Sequence, residues 1–352
     1  MASSKQLRVE DYHVACITVL HAEFAAFKQM IDFPHELPRD IDETDPNHYE
    51  VGEVAGHNVV LCLAARSGTI NAAIKATHLQ RTFKKIRFGL LIGVGGGVPS
   101  VKRDIFLGDV VVAAPWLLSN GITHYDYGKQ LSDAFILLSS PVSTPPKLDG
   151  AVRKVQSIHM LGKSTIPQII SAVVEEYPVF QRPDHQSDLL FQSTYGHVAG
   201  NPNCDECARE YLEERTPRDS FVPQIHYGPI ASGSQVVKSP AKRDSLGELY
   251  GVYCIEMEAA GVMPSLPSLV IRGISNYADS HKNDDWQIYA ALAAAAYAKE
   301  LLTCISPSEP DTISSPKMSS SRVPSHTTAT LSRSPALEGI LDDKARRTGA
   351  TD

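Results

Sequence analysis

The sequence has no excess of basic residues. Its 352 residues include 33 lysines and arginines against 40 aspartates and glutamates, which gives a formal net charge of -7. Because nucleic acids and anionic membranes are bound through basic surfaces, neither is expected as a main partner. A small-molecule substrate is the class of partner that this charge balance favours.

Long apolar runs and dense cysteines are also absent. The most apolar stretch, residues 290–297, is far too short to span a bilayer, and the N-terminus lacks the apolar segment of a signal peptide. Six scattered cysteines do not make a disulfide framework, which indicates a reducing compartment. With 43% hydrophobic residues the chain can bury a sizeable core. We therefore predict a globular, cytoplasmic protein.

Apolar strands alternate with helical segments along most of the chain. Segments 12–20, 87–92, 109–114 and 269–274 are typical of buried strands, and 49–54 with 58–64 of a hairpin. Segments 71–83 and 286–302 have helical spacing. The alternation predicts an α/β fold with a mixed sheet.

Two regions depart from this alternation. Residues 141–223 are rich in prolines and polar residues around two helical segments, 148–159 and 168–176, and we predict an insertion there within a domain of residues 10–304. Residues 1–9 are predicted to be flexible. Residues 305–352 are rich in Ser, Thr and Pro, and they are predicted to be a disordered tail because they can bury too little apolar surface to offset the ordering entropy.

A glycine cluster, Gly93 to Gly97, follows a predicted strand. It does not match the dinucleotide-binding fingerprint, because Val98 and Pro99 follow and the next segment leads into a strand instead of a helix. Glycines at this position allow a ligand to approach the backbone closely, whereas a simple tight turn is the alternative.

The segment Glu256-Met257-Glu258 places two carboxylates among apolar residues. Burying a carboxylate is costly unless it is paired or functional. A carboxylate can accept hydrogen bonds from both hydroxyls of a ribose 2′,3′-diol, and bonds to the 2-OH strengthen in glycosidic transition states. The alternative is a structural ion pair with Arg272.

A Cys-x2-Cys pair lies in the predicted insertion. Cys204 and Cys207 follow His197, and together they offer three of the four ligands of a structural zinc site, with His185 as a possible fourth. Free thiols are the alternative.

Five segments, in order, resemble the nucleoside phosphorylase domain common in fungal proteins: IGVGGGV, LGDVVVA, HYGPIASGSQVVK, EMEAAG and VIRGISNYADSHKN. This domain is part of the superfamily of purine nucleoside phosphorylases, uridine phosphorylases and methylthioadenosine/adenosylhomocysteine nucleosidases. The resemblance covers about residues 12–302. It implies a three-layer phosphorylase/hydrolase-like fold, a central mixed β-sheet flanked by helices, and a homo-oligomer that needs neither a cofactor nor a catalytic metal.

The resemblance also assigns roles to individual residues. It implies that Glu258 binds the ribose diol, that Met257 lies beneath the sugar, and that Glu23 helps to activate water; a solvated acid at a helix start is the alternative for Glu23. Gly95 and Gly96 correspond to the loop for the sugar and nucleophile. Base contacts are assigned to the loop Ser234, Gln235 and Val236, where Val236 replaces a frequent aromatic residue, and to Asn276.

Hydrolysis and phosphorolysis require different nucleophiles. Phosphorolysis needs cations for phosphate as a co-substrate, preferably arginine. Related phosphorylases keep an arginine and a serine where this chain has positions near Ile92 and Gly95, and Glu23 suits water better than phosphate. Arg66 is the remaining candidate for binding an anion, and a plain surface cation is the alternative.

Asn276 is the main departure from the family pattern. Ser275 to Asp279 follow a predicted strand, where a sheet presents side chains to ligands, although a plain turn would also fit. Most relatives have an aspartate at position 276 that protonates the leaving purine, and an amide supplies no usable proton. Asp279 is a weaker candidate for that acid. We expect hydrolytic cleavage of a purine nucleoside or nucleotide; the alternatives are a phosphorylase and a nucleoside sensor with little turnover.

Overall fold

The structure is a computed structural model, and it describes residues 5–64, 66–100, 102–115, 119–132, 135–138, 143–201, 203–218 and 220–307. The chain divides into two compact units, Met1–Pro307 and Ser308–Asp352. The second unit, with almost all of the predicted disordered tail, lies outside the described residues.

The first part of the chain builds one side of the sheet. Its elements are β1 (Lys5–Gln6), β2 (Val14–Thr18), α1 (His21–Lys28), β3 (Phe33–Glu36), β4 (His48–Val54), β5 (His57–Leu63), α2 (Thr69–Thr82) and β6 (Phe88–Gly97). The strand β1 pairs with β3, so Lys5 and Gln6, within the segment 1–9 predicted to be flexible, lie at the edge of the sheet.

The remaining elements complete the sheet and its helices. They are β7 (Val110–Ala113), β8 (Ile122–His124), β9 (Gly128–Gln130), β10 (Phe135–Leu137), α3 (Pro146–Met160), α4 (Ile166–Glu176), β11 (Ile225–Gly228), β12 (Ile230–Ser232), α5 (Pro240–Tyr250), β13 (Cys254–Glu256), α6 (Ala259–Val262), β14 (Ser268–Asn276) and α7 (Gln287–Thr303).

Most strands form one mixed sheet in the order β1-β3-β4-β5-β2-β6-β13-β12-β8, with β14 between β6 and β7 and with β11 on β7. Parallel pairs such as β2 with β6 occur beside antiparallel pairs such as β4 with β5. Helices flank this sheet, and the predicted α/β fold with a central mixed sheet is confirmed.

The helix α7 packs across the centre of the sheet. It is buried on nearly all faces, which its small alanines permit, and a Cβ at Gly273 of β14 would collide with the backbone of Ala290. Small residues on both elements therefore allow the helix to lie unusually close to the sheet. No helix in the described part of the chain is long and apolar enough to cross a bilayer.

The predicted insertion, residues 141–223, contributes α3 and α4 to the main core. Leu148 and Val155 of α3 and Ile170 of α4 are buried in it. The buried Glu300 of α7 connects the region further, because its carboxylate contacts His159 and accepts a hydrogen bond from the Thr165 hydroxyl at 2.9 Å. These two helices are therefore an integral layer of the domain, and irregular segments follow them.

Candidate active site

The central strand β6 changes partners along one of its edges. Phe88 to Leu91 pair with β2, whereas Gly96 and Gly97 pair with β13; the other edge pairs with β14 throughout. Between these two contacts, no strand in the described part of the chain pairs with this edge, and we call the opening the fork. Side chains, instead of a strand, meet the backbone there.

Glu23 of α1 occupies one side of the fork. Its Oε1 accepts a hydrogen bond from the Val94 amide at 2.8 Å, and its Oε2 accepts from the Val19 and Leu20 amides at 2.7 and 2.9 Å. The residue is 2% exposed, so it is not the solvated helix-start acid that was its alternative. The three bonds fix the orientation of the carboxylate and leave one lone pair of Oε1 for a further donor.

Arg272 of β14 is the cation of the fork. Its Nη2 contacts Glu256 and donates to Glu258 Oε2 at 3.3 Å, and its Nη1 donates to the Val94 carbonyl at 3.4 Å. The ion pair considered for Glu256 therefore forms. It does not exclude a ribose-binding role for Glu258, because the two glutamates have different surroundings.

Glu256 is the more buried and the more hydrogen-bonded of the two glutamates. Besides the ion pair, its carboxylate accepts hydrogen bonds from the amides of Glu258 at 3.0 Å and Ala259 at 3.1 Å, which stabilises the start of α6. Among the residues that the structure describes, the Glu258 carboxylate contacts Arg272 and accepts a hydrogen bond from the Gly68 amide at 3.2 Å. Glu258 is thus the carboxylate with acceptor capacity left for a ligand.

Negative groups outnumber positive ones here, because the three carboxylates of Glu23, Glu256 and Glu258 surround the one guanidinium of Arg272. Burial raises the pKa of Glu258 to about 7, Arg272 opposes this shift, and the charges of Glu256 and Glu23 add to it. Burial alone would lower the pKa of Arg272, but the three carboxylates raise it. The fork therefore keeps its cation and has negative charge in excess.

The glycines of β6 provide the space for this cluster. A Cβ at Gly93 would collide with the side chains of Arg272 and Glu23, and one at Gly95 with Cys254. At Gly96 a Cβ would meet Ala278 Cβ at 2.7 Å and Asn276 Oδ1 at 3.1 Å. The glycine cluster is therefore a strand that side chains approach closely, and not a tight turn.

Asn276 ends β14 opposite Gly96, at an irregularity in the strand register. Its Oδ1 accepts a hydrogen bond from the Ala278 amide at 3.0 Å, and its Nδ2 donates to Ser275 Oγ at 3.0 Å. The amide is thereby oriented, with one N–H left over for a ligand. Asp279 is committed elsewhere, because it is buried against Arg243 at 3.4 Å.

The loop predicted to contact the base lies after β12. Ser234, Gln235 and Val236 are exposed; the Ser234 amide donates to Asp126 Oδ2 at 2.7 Å, and its hydroxyl pairs with that of Thr69 at 2.7 Å. Tyr125 fixes the loop further by donating to the Gln235 carbonyl at 3.1 Å. Because Thr69 begins α2 directly after Gly68, this loop is connected to the Glu258 side of the fork.

Two other predicted residues differ in exposure. Met257 is half-buried between the two glutamates. Arg66 is exposed, two residues before Gly68, and it has no ion pair with any residue that the structure describes. Arg272 and Asp126 were not predicted as site residues. A charged residue inside the apolar strand LVIRGI was the available signal for Arg272, and no local signal marked Asp126.

The zinc candidates lie apart from the fork. The ligand atoms of His197, Cys204 and Cys207 lie within 4.8 Å of one another. The predicted fourth ligand, His185, is wrongly placed for this group, because its exposed ring contacts Asp184 at 3.1 Å and Phe221. Two surface clefts, one beside Arg182 and Arg218 and one beside α5, are lined by neither Glu23 nor Glu258.

Comparison with known proteins finds relatives over most of the chain. A family model described as the phosphorylase superfamily matches residues 13–306. A nucleotide-binding leucine-rich repeat (NLR)-like protein of Hyaloscypha variabilis is 39% identical over 302 residues, which is 86% of this chain and 30% of that protein. The chain thus spans less than a third of this relative.

Nucleosidases are among the other matches. The 5'-methylthioadenosine/S-adenosylhomocysteine nucleosidase of Mycobacterium bovis is 25% identical, covering 72% of this chain and 83% of its own. ATP nucleosidase Cap17 of Escherichia coli is 37% identical over 79 residues, 21% of this chain and 16% of that protein. The solved nucleosidase of Neisseria meningitidis, bound to methylthio-immucillin-A, has the same fold, with a TM-score of 0.54 at 18% identity over 83% of this chain and 98% of its own.

Proposed function

The chain belongs to the phosphorylase superfamily, and from this membership we propose that it hydrolyses the N-glycosidic bond of a purine nucleoside or nucleotide. The observation that carries the proposal is the placement of Glu23 and Glu258 around Arg272 in the fork, next to the glycines of β6. Nucleosidases among the matched relatives support the reaction class.

In this proposal, Glu258 binds the ribose. Its carboxylate accepts hydrogen bonds from the 2′ and 3′ hydroxyls, while Arg272 and the Gly68 amide hold it in place. Bonds to the 2-OH strengthen as the sugar approaches an oxocarbenium-like transition state, so the same contact contributes to rate. The half-buried Met257 contacts the apolar face of the sugar.

Glu23 orients the attacking water. The lone pair left on Oε1 accepts a proton of the water, and the three backbone bonds prevent the carboxylate from turning away. Water adds to the anomeric carbon as the bond to the base breaks, and the purine leaves as an anion. The proton that Glu23 takes from the water is returned through solvent to this anion, so the products are the free sugar and the neutral purine.

Hydrolysis is favoured over phosphorolysis by charge. Three carboxylates surround Arg272, which is occupied by two of them, so a phosphate dianion would meet net negative charge in the fork. Among the residues that the structure describes, Arg66 is the exposed arginine near Gly68, and we assign it to the phosphates of a nucleotide substrate.

Departure of the purine depends on Asn276. Its remaining N–H can donate to N7 of the base, which stabilises the leaving group without transferring a proton. This favours slow turnover. A nucleoside sensor of the same binding specificity is the second candidate, and the Asn276 amide is the observation in its favour.

One assay separates these functions. Purified protein is incubated with purine nucleosides and nucleotides, with and without phosphate, and the sugar product is identified. We expect a sugar with a free anomeric hydroxyl, formed at the same rate with and without phosphate. Ribose 1-phosphate would instead establish a phosphorylase, and substrate binding without any product would establish a sensor.

The choice between nucleoside and nucleotide is tested at Arg66. R66A should raise the KM for a nucleoside triphosphate and leave the KM for the nucleoside unchanged, whereas K84A, which removes an exposed cation after α2, should alter neither. An equal KM for the triphosphate in R66A and the unmodified protein would contradict this assignment.

A further inference from the structure

Residues 189–212 have a very small core of their own. The described residues of this segment, 189–201 and 203–212, contain one short 3-10 helix, Arg209–Tyr211, and one β-bridge between Phe191 and Leu212. Leu190 is buried in the main core, whereas the buried Phe191, Cys204 and Cys207 form a separate cluster with a few half-buried side chains. A hydrophobic cluster of this size rarely holds an irregular segment in place, and such segments are commonly fixed by a disulfide or a metal.

The three ligand atoms of His197, Cys204 and Cys207 lie within 4.8 Å of one another. The Cys207 amide donates to the Cys204 carbonyl at 3.1 Å, so the Cys-x2-Cys segment is a tight turn that aims both thiols in similar directions. Zinc binds such ligands at about 2.0–2.3 Å in a tetrahedron, so an ion would need to draw these atoms together by only about 1 Å.

One nitrogen of the His197 ring is held by the backbone. Its Nε2 lies 2.8 Å from the Asn203 carbonyl, which can only accept, so Nε2 carries the proton. Nδ1 is consequently the nitrogen with the free lone pair. Histidines that bind metals usually donate their second ring nitrogen to a carbonyl or a carboxylate in this way.

A second imidazole, that of His281, borders the group as a candidate fourth ligand. The ring of His281 stands edge-on to that of His197, with centroids 5.4 Å apart, and the Cys204 thiol donates to the His281 carbonyl at 3.9 Å. His281 is 7% exposed, and its Nε2 has no hydrogen-bond partner among the described residues. Its ring nitrogens lie outside the group of three, so the ring would turn toward the others when an ion binds.

We propose that His197, Cys204 and Cys207 bind a structural zinc ion and that His281 supplies the fourth ligand. The ion connects residues 189–212 to the loop after β14, where the His197 amide already donates to Ser280 Oγ at 3.1 Å. Because this loop follows Asn276 directly, the zinc ion stabilises one wall of the candidate active site without taking part in the reaction.

The first test is metal analysis of the full chain, purified without an affinity tag that binds metals. We expect about one zinc per chain by mass spectrometry. Cobalt substitution should give the charge-transfer absorption of Co(II)–thiolate bonds. A strong chelator should lower the Tm by about 10 °C, in line with a tightly bound ion that stabilises only the folded state.

Variants locate the ligands. C204S and C207S should each lose the zinc and the cobalt–thiolate absorption, whereas C304S, which alters a cysteine outside the group, should retain both. H281A should weaken zinc binding at least tenfold; zinc affinity equal to that of the unmodified protein would remove His281 from the ligand set.

The zinc content of the unmodified protein is the deciding measurement, so the test holds even if the cysteine variants do not fold. Less than about a tenth of a zinc per chain, together with no uptake of added zinc, would overturn it. A disulfide between Cys204 and Cys207 in the protein isolated under reducing conditions would overturn it as well.

Discussion

Glu258 is the residue whose ionisation should control substrate binding. Its pKa is raised to about 7, chiefly by burial, so the ionised form that accepts two hydroxyls is depleted below neutral pH. We expect kcat/KM to fall about tenfold per pH unit below about 7 and to be constant above it. A profile that is flat from pH 5 to 8 would contradict a role for the Glu258 carboxylate.

The raised pKa also affects stability. A buried acid with a raised pKa favours the folded state most below its unfolded value, and this contribution is lost as the pH rises through about 7. E258Q should therefore be at least as stable as the unmodified protein at pH 8. Its kcat/KM should nevertheless fall by about 10²–10⁴-fold, because two hydrogen bonds to a charged acceptor are lost. E175Q, at an exposed position on α4, is the matched control.

Asn276 is expected to limit the chemical step. N276D should raise the rate of purine release by up to about 10²–10⁴-fold, because an acid can protonate the leaving group. The carboxylate can still accept the bond from the Ala278 amide, so the turn should be retained. The rate is measured in single turnover, and an unchanged rate would show that the amide is not the limiting group.

The insertion is attached to the strands of the sheet through Asp109. Asp109 lies just before β7 and accepts hydrogen bonds from both Nη atoms of Arg218, at 2.6 and 2.7 Å, and from the Gln224 amide at 3.0 Å. The His226 ring on β11 is 2.9 Å away. D109N should cost about 3–5 kcal/mol of unfolding free energy, because it leaves Arg218 without its carboxylate.

The pH dependence of this loss has a defined sign. Burial would raise the pKa of Asp109, but the hydrogen bond from His226 and the bonds and charge of Arg218 lower it below the usual 3.8. The stabilisation is thus present above that value and is lost as the pH falls through the lower pKa of the folded state. The Tm difference between D109N and the unmodified protein should shrink in acid. D149N, which breaks a surface pair on α3, should cost less than about 1 kcal/mol.

The elements differ in how well the sequence predicts them. The apolar spacing of the sequence alone predicted the segments that form β2, β5, β6, β14 and α7. The strand β13, with three residues, and α6, with four, are too short to give a period, yet they create the fork and place Glu258. The contact of Glu23 with Val94 spans 71 positions, so no local pattern could predict it. Glu23 was predicted as a site residue from the resemblance to a family, whereas the ion pair of Arg272 could be inferred from a lone charge in an apolar strand.

For the whole molecule, the open question is assembly, and the predicted homo-oligomer remains a prediction. Two apolar side chains at the start of α2 are exposed, Ile70 at 74% and Ile74 at 49%. Val236, in the loop after β12, is 56% exposed. Thr69 and Ser234 hold α2 and this loop together, so the three apolar side chains are at the mouth of the candidate site. A second copy covering them would help to close the pocket.

Light scattering tests this expectation. I70E combined with I74E should convert the oligomer to a monomer and raise the KM, whereas M160E, at an 87% exposed apolar position on α3, should change neither. A monomeric unmodified protein would contradict the predicted assembly.

The fork has a further consequence, for hydrogen exchange. The amide of Val94 is protected by a carboxylate and not by a neighbouring strand, so its exchange with deuterium reports on Glu23 itself. In E23A this amide should exchange about 10- to 100-fold faster, whereas that of Leu91, between β2 and β14, should keep its rate. The carboxylate of Glu23 can thus be followed in the resting protein, without any substrate.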